Sequence, residues 1–404
     1  MQRLDSYGRP FLLYLCGQGA LNLGESLRFI AVTVLLYKLT GSGVSTALGL
    51  VFSALPNLLL SPFAGAAGDM LDEKKLLAAV DILKAAVILP FLFRIDLTGI
   101  YVLLVLLSAL DTVYGPSRRK FILRLTGKKG VLGANSLLTG ASGIAYLIGP
   151  LAAGILTDAY GPSPAFAASM AACGISAAAT LLVRPGGPAF GRRQPKDILS
   201  EMAAGFDYSR RAPKVREVIQ ASVITGFCAV AVNMAFYPYA FDTLKVTAKG
   251  WSLMISIYYG TNLMALPVMD FLGSKRKRPG FRLFYGGLFL TGLIWLSYAF
   301  ICGFSAVLLL QFTEGTILAV CGILLSSRMQ LVSDARFLAR VAGVADILSG
   351  GARLLAMGFA FLTMGLASFR PVFMATAALL LAFSLYNLMG RREDTLAVGH
   401  PPPL

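Results

Sequence analysis

Apolar residues along this chain are gathered into runs of about 20 positions, separated by short stretches of Gly, Pro and charged residues. A helix rises about 1.5 Å per residue, so each run is long enough to cross a hydrocarbon layer about 30 Å thick. Because the runs lack the alternation of membrane β-strands, the pattern predicts an all-α membrane protein. Twelve spans are predicted, near residues 11–37, 44–67, 75–94, 99–117, 131–157, 164–183, 217–241, 250–272, 282–302, 305–327, 340–366 and 371–390.

The predicted spans form two sets of six around a long central loop. In that loop Ile198, Leu199, Met202 and Phe206 recur at helical spacing beside a basic face, which favours a helix lying on the inner membrane surface. We interpret the loop as a linker and not as a separate domain. The predicted organisation is an N-terminal six-helix half (1–183), a cytoplasmic linker with an interfacial helix (184–216), a C-terminal six-helix half (217–390) and a cytoplasmic tail (391–404).

The composition agrees with a membrane protein and argues against several other classes. Charged residues make up 14% of the chain and hydrophobic residues 56%, whereas soluble domains carry about 25% charged residues. The five cysteines lie inside apolar runs without a CxxC pair or metal-ligand spacing, so we expect no metal and no cofactor. The sequence contains no HExxH motif in any span and no Walker loop, so we predict neither an enzyme nor direct use of ATP.

The positive charge follows the predicted topology. With the N-terminus in the cytoplasm, five of the 36 Lys and Arg residues lie in outside loops and three lie within spans, which leaves 28 on the cytoplasmic side. Both termini are therefore predicted to be cytoplasmic. This distribution accounts for the net charge of +16 without a nucleic-acid partner, and we expect none.

A short charged pattern follows span 2 and recurs after span 8. In each copy an Asp is followed by a turn residue at +3 and by cations at +5 and +6, and the two Asp residues lie 201 positions apart. That separation is typical of a duplicated six-span unit, so we interpret the pattern as a conformational element; ordinary loop charge is the alternative. The residues are Gly65, Asp69, Lys74 and Lys75 in the first copy, and Asp270, Gly273, Lys275 and Arg276 in the second.

Both copies resemble the loop signature of the major facilitator superfamily, Gly-x-x-x-Asp-Arg/Lys-x-Gly-x-Arg/Lys-Arg/Lys. They depart from it at Met70 and Asp72 in the first copy and at Leu266 in the second. Residues 39–42 and 340–343 resemble the branch of the family that contains the enterobactin exporter and macrolide efflux proteins. The resemblance covers nearly the whole chain. It implies the major facilitator fold of two pseudo-symmetric six-helix halves, a bacterial cytoplasmic (inner) membrane and a monomer.

Span 5 contains Gly149, Pro150 and Gly154, which are similar to the Gly-Pro motif that the family associates with antiporters. Pro removes a hydrogen bond within the helix and Gly makes the helix thinner, so this span can bend and pack closely against a neighbour. The resemblance implies export and not import. A role in packing alone is the alternative, because Gly and Pro are frequent in membrane helices.

Charged residues within spans are costly and are the candidate functional residues. Glu25 and Arg28 lie three residues apart on one face of span 1, where they can pair or line a central cavity. Asp346 and Arg353 share one face of span 11. Either Arg can meet an anionic group of the substrate or a carboxylate of the protein. The candidates for proton coupling and the substrate cavity are Glu25, Arg28, Asp111, Glu314, Asp346 and Arg353.

Three carboxylic acids, Glu25, Asp111 and Glu314, are the predicted proton carriers. A carboxyl group in an apolar cavity can bind a proton on one side of the membrane and release it on the other when its surroundings change. The alternative is that these charges form salt bridges that hold helices in register. Asp81 and Lys84 lie nearer the predicted cytoplasmic edge of span 3, where we expect them to pair with each other.

The sequence therefore predicts a proton-coupled secondary transporter that exports a small molecule by alternating access of its two halves. The expected partners are protons, membrane lipid and a substrate that is either a drug or a siderophore-like or opine-like metabolite. A proton-coupled importer is the first alternative. A transport-inactive membrane sensor or assembly partner is the second.

Overall fold

The computed structural model describes residues 8–70, 72–93, 95–184, 198–265, 267–269, 281–334 and 337–390. Every long regular element in these ranges is a helix. In chain order the helices are α1 (Arg9–Thr40), α2 (Gly43–Met70), α3 (Glu73–Ile88), α4 (Leu97–Gly127), α5 (Gly133–Tyr160), α6 (Ser163–Leu182), α7 (Ile198–Arg211), α8 (Pro213–Pro238), α9 (Ala248–Gly260), α10 (Phe281–Tyr298), α11 (Phe304–Val332), α12 (Leu338–Leu366) and α13 (Arg370–Met389).

Eight of the helices within these ranges are long and apolar enough to cross a membrane, namely α1, α4, α5, α6, α8, α11, α12 and α13. Within α2, the stretch Gly43–Asn57 is a further apolar helical segment in the part of the chain that the structure describes. Each predicted span overlaps one of the described helices. The predicted all-α membrane fold is therefore confirmed. A helix was also predicted in the linker, and α7 begins at its first apolar residue, Ile198.

Helices α4 and α5 extend beyond the predicted spans 99–117 and 131–157. The helical run is continuous from Leu97 to Tyr160 apart from a kink at Gly127, where φ is 65° and ψ is 174°. Only glycine adopts this left-handed φ without strain. The basic residues between the two spans therefore continue the helices past the apolar segments and do not form a loop.

The described residues pack as two compact units, one within Met1–Gln194 and Lys245–Gly260, the other within Pro195–Leu244 and Thr261–Leu404. In the first unit α1 packs against α4, α5 and α6. In the second, α8 packs against α12, and α10 packs against α11 and α13. Helix α9 is grouped with the first unit by its contacts with α5, although it lies in the second half of the chain. The predicted division at 184–216 remains a prediction from chain order.

Two glycines on one face of α1 allow close contact with α6. A Cβ atom at Gly17 would lie 2.7 Å from Cβ of Ala179, and one at Gly24 would lie 2.6 Å from Cβ of Ala172. Small residues at such contacts bring helix backbones together, which is a main source of packing energy in a membrane. This close approach positions the charged residues of α1 against α3 and α4.

We expect Gly24→Leu to destabilise the first unit by about 1–3 kcal/mol, because the added side chain would overlap α6 where no space is available. The measurement is the apparent Tm of the purified protein in detergent. Gly19→Leu is the matched control, since a Cβ atom at Gly19 meets nothing within 4 Å. Equal Tm values for the two variants would contradict the close contact.

Candidate functional site

A buried lysine is the centre of the charged residues in the first unit. The side chain of Lys84, on α3, is 1% exposed, and its Nζ lies 3.1 Å from Oε1 of Glu25 on α1. Lys84 also forms an ion pair with Asp111 on α4. An isolated ammonium group in a membrane interior is costly, so two carboxylates on two other helices provide its compensation. The side chains of Glu25 and Asp111 remain 22% and 40% exposed.

A network of hydrogen bonds surrounds the carboxylate of Asp81, which also lies on α3. Oγ of Ser176 donates to Oδ2 of Asp81 at 2.7 Å, and Nε2 of Gln18 donates to the hydroxyl oxygen of Tyr114 at 2.6 Å. The hydroxyl of Tyr114 also donates to Asp81 at 3.5 Å, and Nζ of Lys84 lies 4.7 Å from the centre of the Tyr114 ring. Helices α1, α3, α4 and α6 therefore meet at one buried polar cluster.

The prediction for Asp81 and Lys84 was wrong. Both side chains are buried, at 0% and 1% exposure, and Lys84 pairs with Glu25 and Asp111 while Asp81 accepts from Ser176 and Tyr114. The physical reason is that the face of α3 bearing both residues packs against α4 and α6. Lys84 therefore has its counter-ions on neighbouring helices, whereas Asp81 accepts from two hydroxyl groups and its buried Oδ1 has no hydrogen-bond partner among the described residues.

Arg28 lies one turn from Glu25 on α1 and is 9% exposed. Its Nη1 atom is buried and has no hydrogen-bond partner in the part of the chain that the structure describes. The carboxylate of Glu25 binds Lys84, so the two neighbours on α1 do not neutralise each other through a direct hydrogen bond. Arg28 can therefore donate to an additional anionic group.

The cluster carries one excess negative charge in formal terms. Its acidic members are Glu25, Asp81 and Asp111, and its basic members are Arg28 and Lys84. Arg118 is not part of this set, because it lies half-buried on α4 at the end of the span that is predicted to face the cytoplasm. One proton, or one cationic group of a ligand, would make the cluster neutral.

Glu314 is the corresponding buried acid of the second unit, at 4% exposure on α11. Nε1 of Trp295 donates to its Oε1 at 2.7 Å, and the hydroxyl of Tyr298 donates to its Oε2 at 2.7 Å. No Lys or Arg forms an ion pair with Glu314 among the described residues. The ring of Tyr298 contacts Phe236 and Phe373, so the surroundings of this carboxyl are mostly aromatic.

Asp346 and Arg353 both lie on surfaces of α12 that the second unit leaves exposed. Nε of Arg353 donates to the backbone oxygen of Ser349 at 3.2 Å. Within the described residues the two charges do not pair with each other. Both residues are exposed on α12, and neither forms an ion pair with Glu314 among the described residues. Their role in the substrate cavity stays a prediction.

The Gly-Pro segment of α5 contacts two other helices. A side chain at Gly149 would overlap Ser26 of α1, and a Cβ atom at Gly154 would lie 2.6 Å from Cβ of Ser252 on α9. Ser26 also donates from Oγ to the backbone oxygen of Ala145 at 3.2 Å. The glycines of α5 therefore allow close packing of helices. Ser26, which Gly149 contacts, directly follows Glu25 in α1.

The structure describes only part of the charged pattern that follows spans 2 and 8. Gly65 and Asp69 lie at the end of α2, and their side chains are outside the described residues, as is the whole second copy, Asp270, Gly273, Lys275 and Arg276. Lys74 and Lys75 lie in the first turn of α3. Asp72, which departs from the family signature, caps α3 by accepting from the backbone N–H of Lys75 at 3.0 Å. Glu73 forms an ion pair with Arg124 of α4 at 3.0 Å.

Several residues of these clusters were missed by sequence reasoning. Gln18 offered a signal, because it lies seven residues before Glu25 and so on the same face of α1. Tyr114, Ser176, Trp295 and Tyr298 offered none, since an isolated hydroxyl or indole in an apolar run is common. As for metals, the described residues contain no group of three or more His, Cys, Asp or Glu that could hold an ion.

A family model described as the Major Facilitator Superfamily matches residues 14–357 of this chain. The multidrug efflux pump Tap of Mycolicibacterium fortuitum is 24% identical over 259 residues, which cover 61% of this chain and 63% of that protein. The match thus spans less than two thirds of this relative. The uncharacterized transporter YfiS of Bacillus subtilis (strain 168) is 21% identical over 395 residues, covering 95% of this chain and 94% of that protein.

Solved transporter structures share the fold. A peptide transporter, POT, superposes with a TM-score of 0.74 at 11% identity and covers 93% of each chain. A bacterial homolog of the human lysosomal transporter Spinster, in an inward-facing and unoccupied conformation, gives 0.71 at 11% identity, with 94% of this chain and 96% of that chain covered. The nucleoside transporter NupG also gives 0.71, at 12% identity, with 95% and 100% covered.

We expect Lys84→Met to lower the apparent Tm, because it leaves the carboxylates of Glu25 and Asp111 without their cation. Breaking a fully buried ion pair typically lowers the free energy of unfolding by about 3–5 kcal/mol. We expect a smaller loss here, since both carboxylates are partly exposed. Combining Lys84→Met with Asp111→Asn should recover part of the loss. Lys75→Met is the control, because that side chain is exposed on the same helix. A Tm loss in the double variant as large as in Lys84→Met would contradict the charge argument.

Proposed function

We propose that this chain, which belongs to the Major Facilitator Superfamily, is a proton-coupled secondary transporter that exports a small molecule by alternating access. Membership of a transporter family supports transport, and the likeness to a multidrug efflux pump supports the outward direction. The proposed location is the bacterial cytoplasmic membrane with both termini in the cytoplasm, on the strength of the distribution of Lys and Arg. The proposed working form is a monomer.

The observation that carries the proposal is the charge count around Lys84. The five charged residues of the cluster are three carboxylates and two cations, and an uncompensated ion in a membrane interior is costly. A proton on Glu25 or Asp111 removes that cost, and so does a cationic group of the substrate. The two ligands therefore compete for one site, which is the physical requirement for exchanging protons against substrate.

The same cluster limits the chemistry of the substrate. Its excess carboxylate favours a cationic group, while the unpartnered Nη1 of Arg28 can donate to an anionic group. A cationic drug would use the first feature, and a zwitterionic, opine-like or siderophore-like metabolite would use both. A purely anionic substrate fits less well, because the cluster is already negative.

Glu314 is proposed as a second proton-binding group. The indole of Trp295 can only donate, so a proton on the carboxyl belongs on Oε2, opposite Tyr298. The hydroxyl of Tyr298 can change from donor to acceptor when that proton arrives. Glu314 can therefore gain or lose a proton without losing its partners.

Two alternatives use the same structure. A proton-coupled importer would have the same cluster, and accumulation of substrate inside cells would identify it. A transport-inactive sensor or assembly partner would not need titratable groups in contact with a cavity, so the partial exposure of Glu25 and Asp111 argues against it.

We expect Glu25→Gln and Asp111→Asn each to abolish substrate-dependent proton movement, because each removes a carboxylate of the cluster. The measurement uses proteoliposomes with an internal pH dye, to which cationic drugs, siderophores and opine-like metabolites are added in turn. Asp96→Asn is the control, since Asp96 is an exposed acid that precedes α4. If the panel triggers pH changes that both cluster variants retain, proton coupling at this site is excluded.

We expect the fluorescence of Trp295 to change with pH as Glu314 gains a proton, and Glu314→Gln to remove this change because an amide does not titrate. The chain has two tryptophans, so Trp251→Phe isolates the signal of Trp295. The experiment compares the single-tryptophan protein with and without Glu314→Gln over a pH series in detergent. A pH response that persists in Glu314→Gln would exclude Glu314 as its source.

A further inference from the structure

A deep groove lies in the second unit between α7, α8 and α12. Its volume is about 1050 Å³. Most of the groove wall is apolar and is contributed by two helix faces, with Ile219 and Val223 on α8 and Ile347, Leu348 and Leu355 on α12. The α12 face runs from Val344 to Leu355, and these two residues lie about 16 Å apart along the helix axis. The groove is therefore long enough and apolar enough for a hydrocarbon chain.

One end of the groove is cationic. Arg210 on α7 and Arg216 on α8 line it, both are exposed, and neither side chain forms an ion pair or hydrogen bond with another described residue. Asp207 also lines this end, but Nε of Arg211 lies 2.9 Å from its Oδ1 and compensates its charge. Two guanidinium groups thus remain available at the end predicted to face the cytoplasm.

We propose that this groove binds an anionic phospholipid of the surrounding membrane, with its phosphate between Arg210 and Arg216 and an acyl chain along α8 and α12. The charge of the groove end complements a phosphate, and guanidinium groups bind phosphate oxygens in pairs. Basic pockets between helices at the cytoplasmic surface have the chemistry that anionic headgroups require. This proposal does not depend on the transport function proposed above.

Gly351 provides a direct way to fill the groove. It lines the groove on α12, and a Cβ atom built there meets no atom within 4 Å, so a larger side chain enters open space without disturbing the packing. Gly358 lies two turns further along the same helix, also has no atom within 4 Å, and does not line the groove. The two positions form a matched pair.

The experiment measures binding of fluorescent phosphatidylglycerol and fluorescent phosphatidylcholine to the full chain in detergent. We expect tighter binding of phosphatidylglycerol, and a Kd that rises about fivefold for each arginine removed by Arg210→Gln or Arg216→Gln. Gly351→Leu should abolish specific binding. Arg282→Gln and Gly358→Leu should bind like the wild type, because neither position lines the groove.

Four results would overturn the proposal. The first is equal affinity for the two lipids, and the second is unchanged binding in the variant lacking both arginines. The third is a Gly351→Leu protein that still binds lipid but has altered transport, which would assign the groove to packing between parts of this chain. The fourth is inorganic phosphate that binds as tightly as phosphatidylglycerol, which would show an ion site to which an acyl chain contributes nothing. The apparent Tm of each variant confirms that it is folded.

Discussion

The cost of an ammonium group in an apolar interior is the constraint on which the first unit depends. Lys84 is buried on α3, so α1 and α4 must approach closely enough for Glu25 and Asp111 to reach it. The glycines of α1 permit that approach by removing side chains from its contact with α6. Helix α1 therefore meets two requirements at once, since it has small residues where it contacts α6 and a carboxylate where it reaches Lys84.

Features that depend on neighbouring residues in the sequence could be predicted, whereas contacts between residues far apart in the sequence could not. Apolar runs are local, so the helices and the class of fold could be predicted, and the charged position of Glu25 within a run marked it as a candidate. Its partner could not be identified, because Lys84 is 59 residues away and meets it only through tertiary packing. Trp295 and Glu314 are 19 residues apart, yet an indole in an apolar span carries no sign of a hydrogen bond to an acid.

The two units differ in polar chemistry although the sequence pattern recurs between their halves. In the first, carboxylates are compensated by cations on other helices, and the exposed parts of Glu25 and Asp111 leave the cluster accessible. In the second, Glu314 is held by an indole and a phenol within an aromatic environment. Repetition of a loop pattern thus predicts a repeated helical framework, but it does not predict repeated side-chain chemistry.

The single excess negative charge around Lys84 has a consequence for the response of the proposed transporter to membrane voltage. Exchange of one proton for one monovalent cation moves no net charge across the bilayer, so the membrane potential contributes nothing to the driving force. Exchange of one proton for a zwitterion moves one elementary charge per cycle, which is worth about 2.3 kcal/mol per 100 mV. With one proton per cycle, the charge of the substrate would then determine whether it leaves at the expense of the pH gradient alone or of the electrical potential as well.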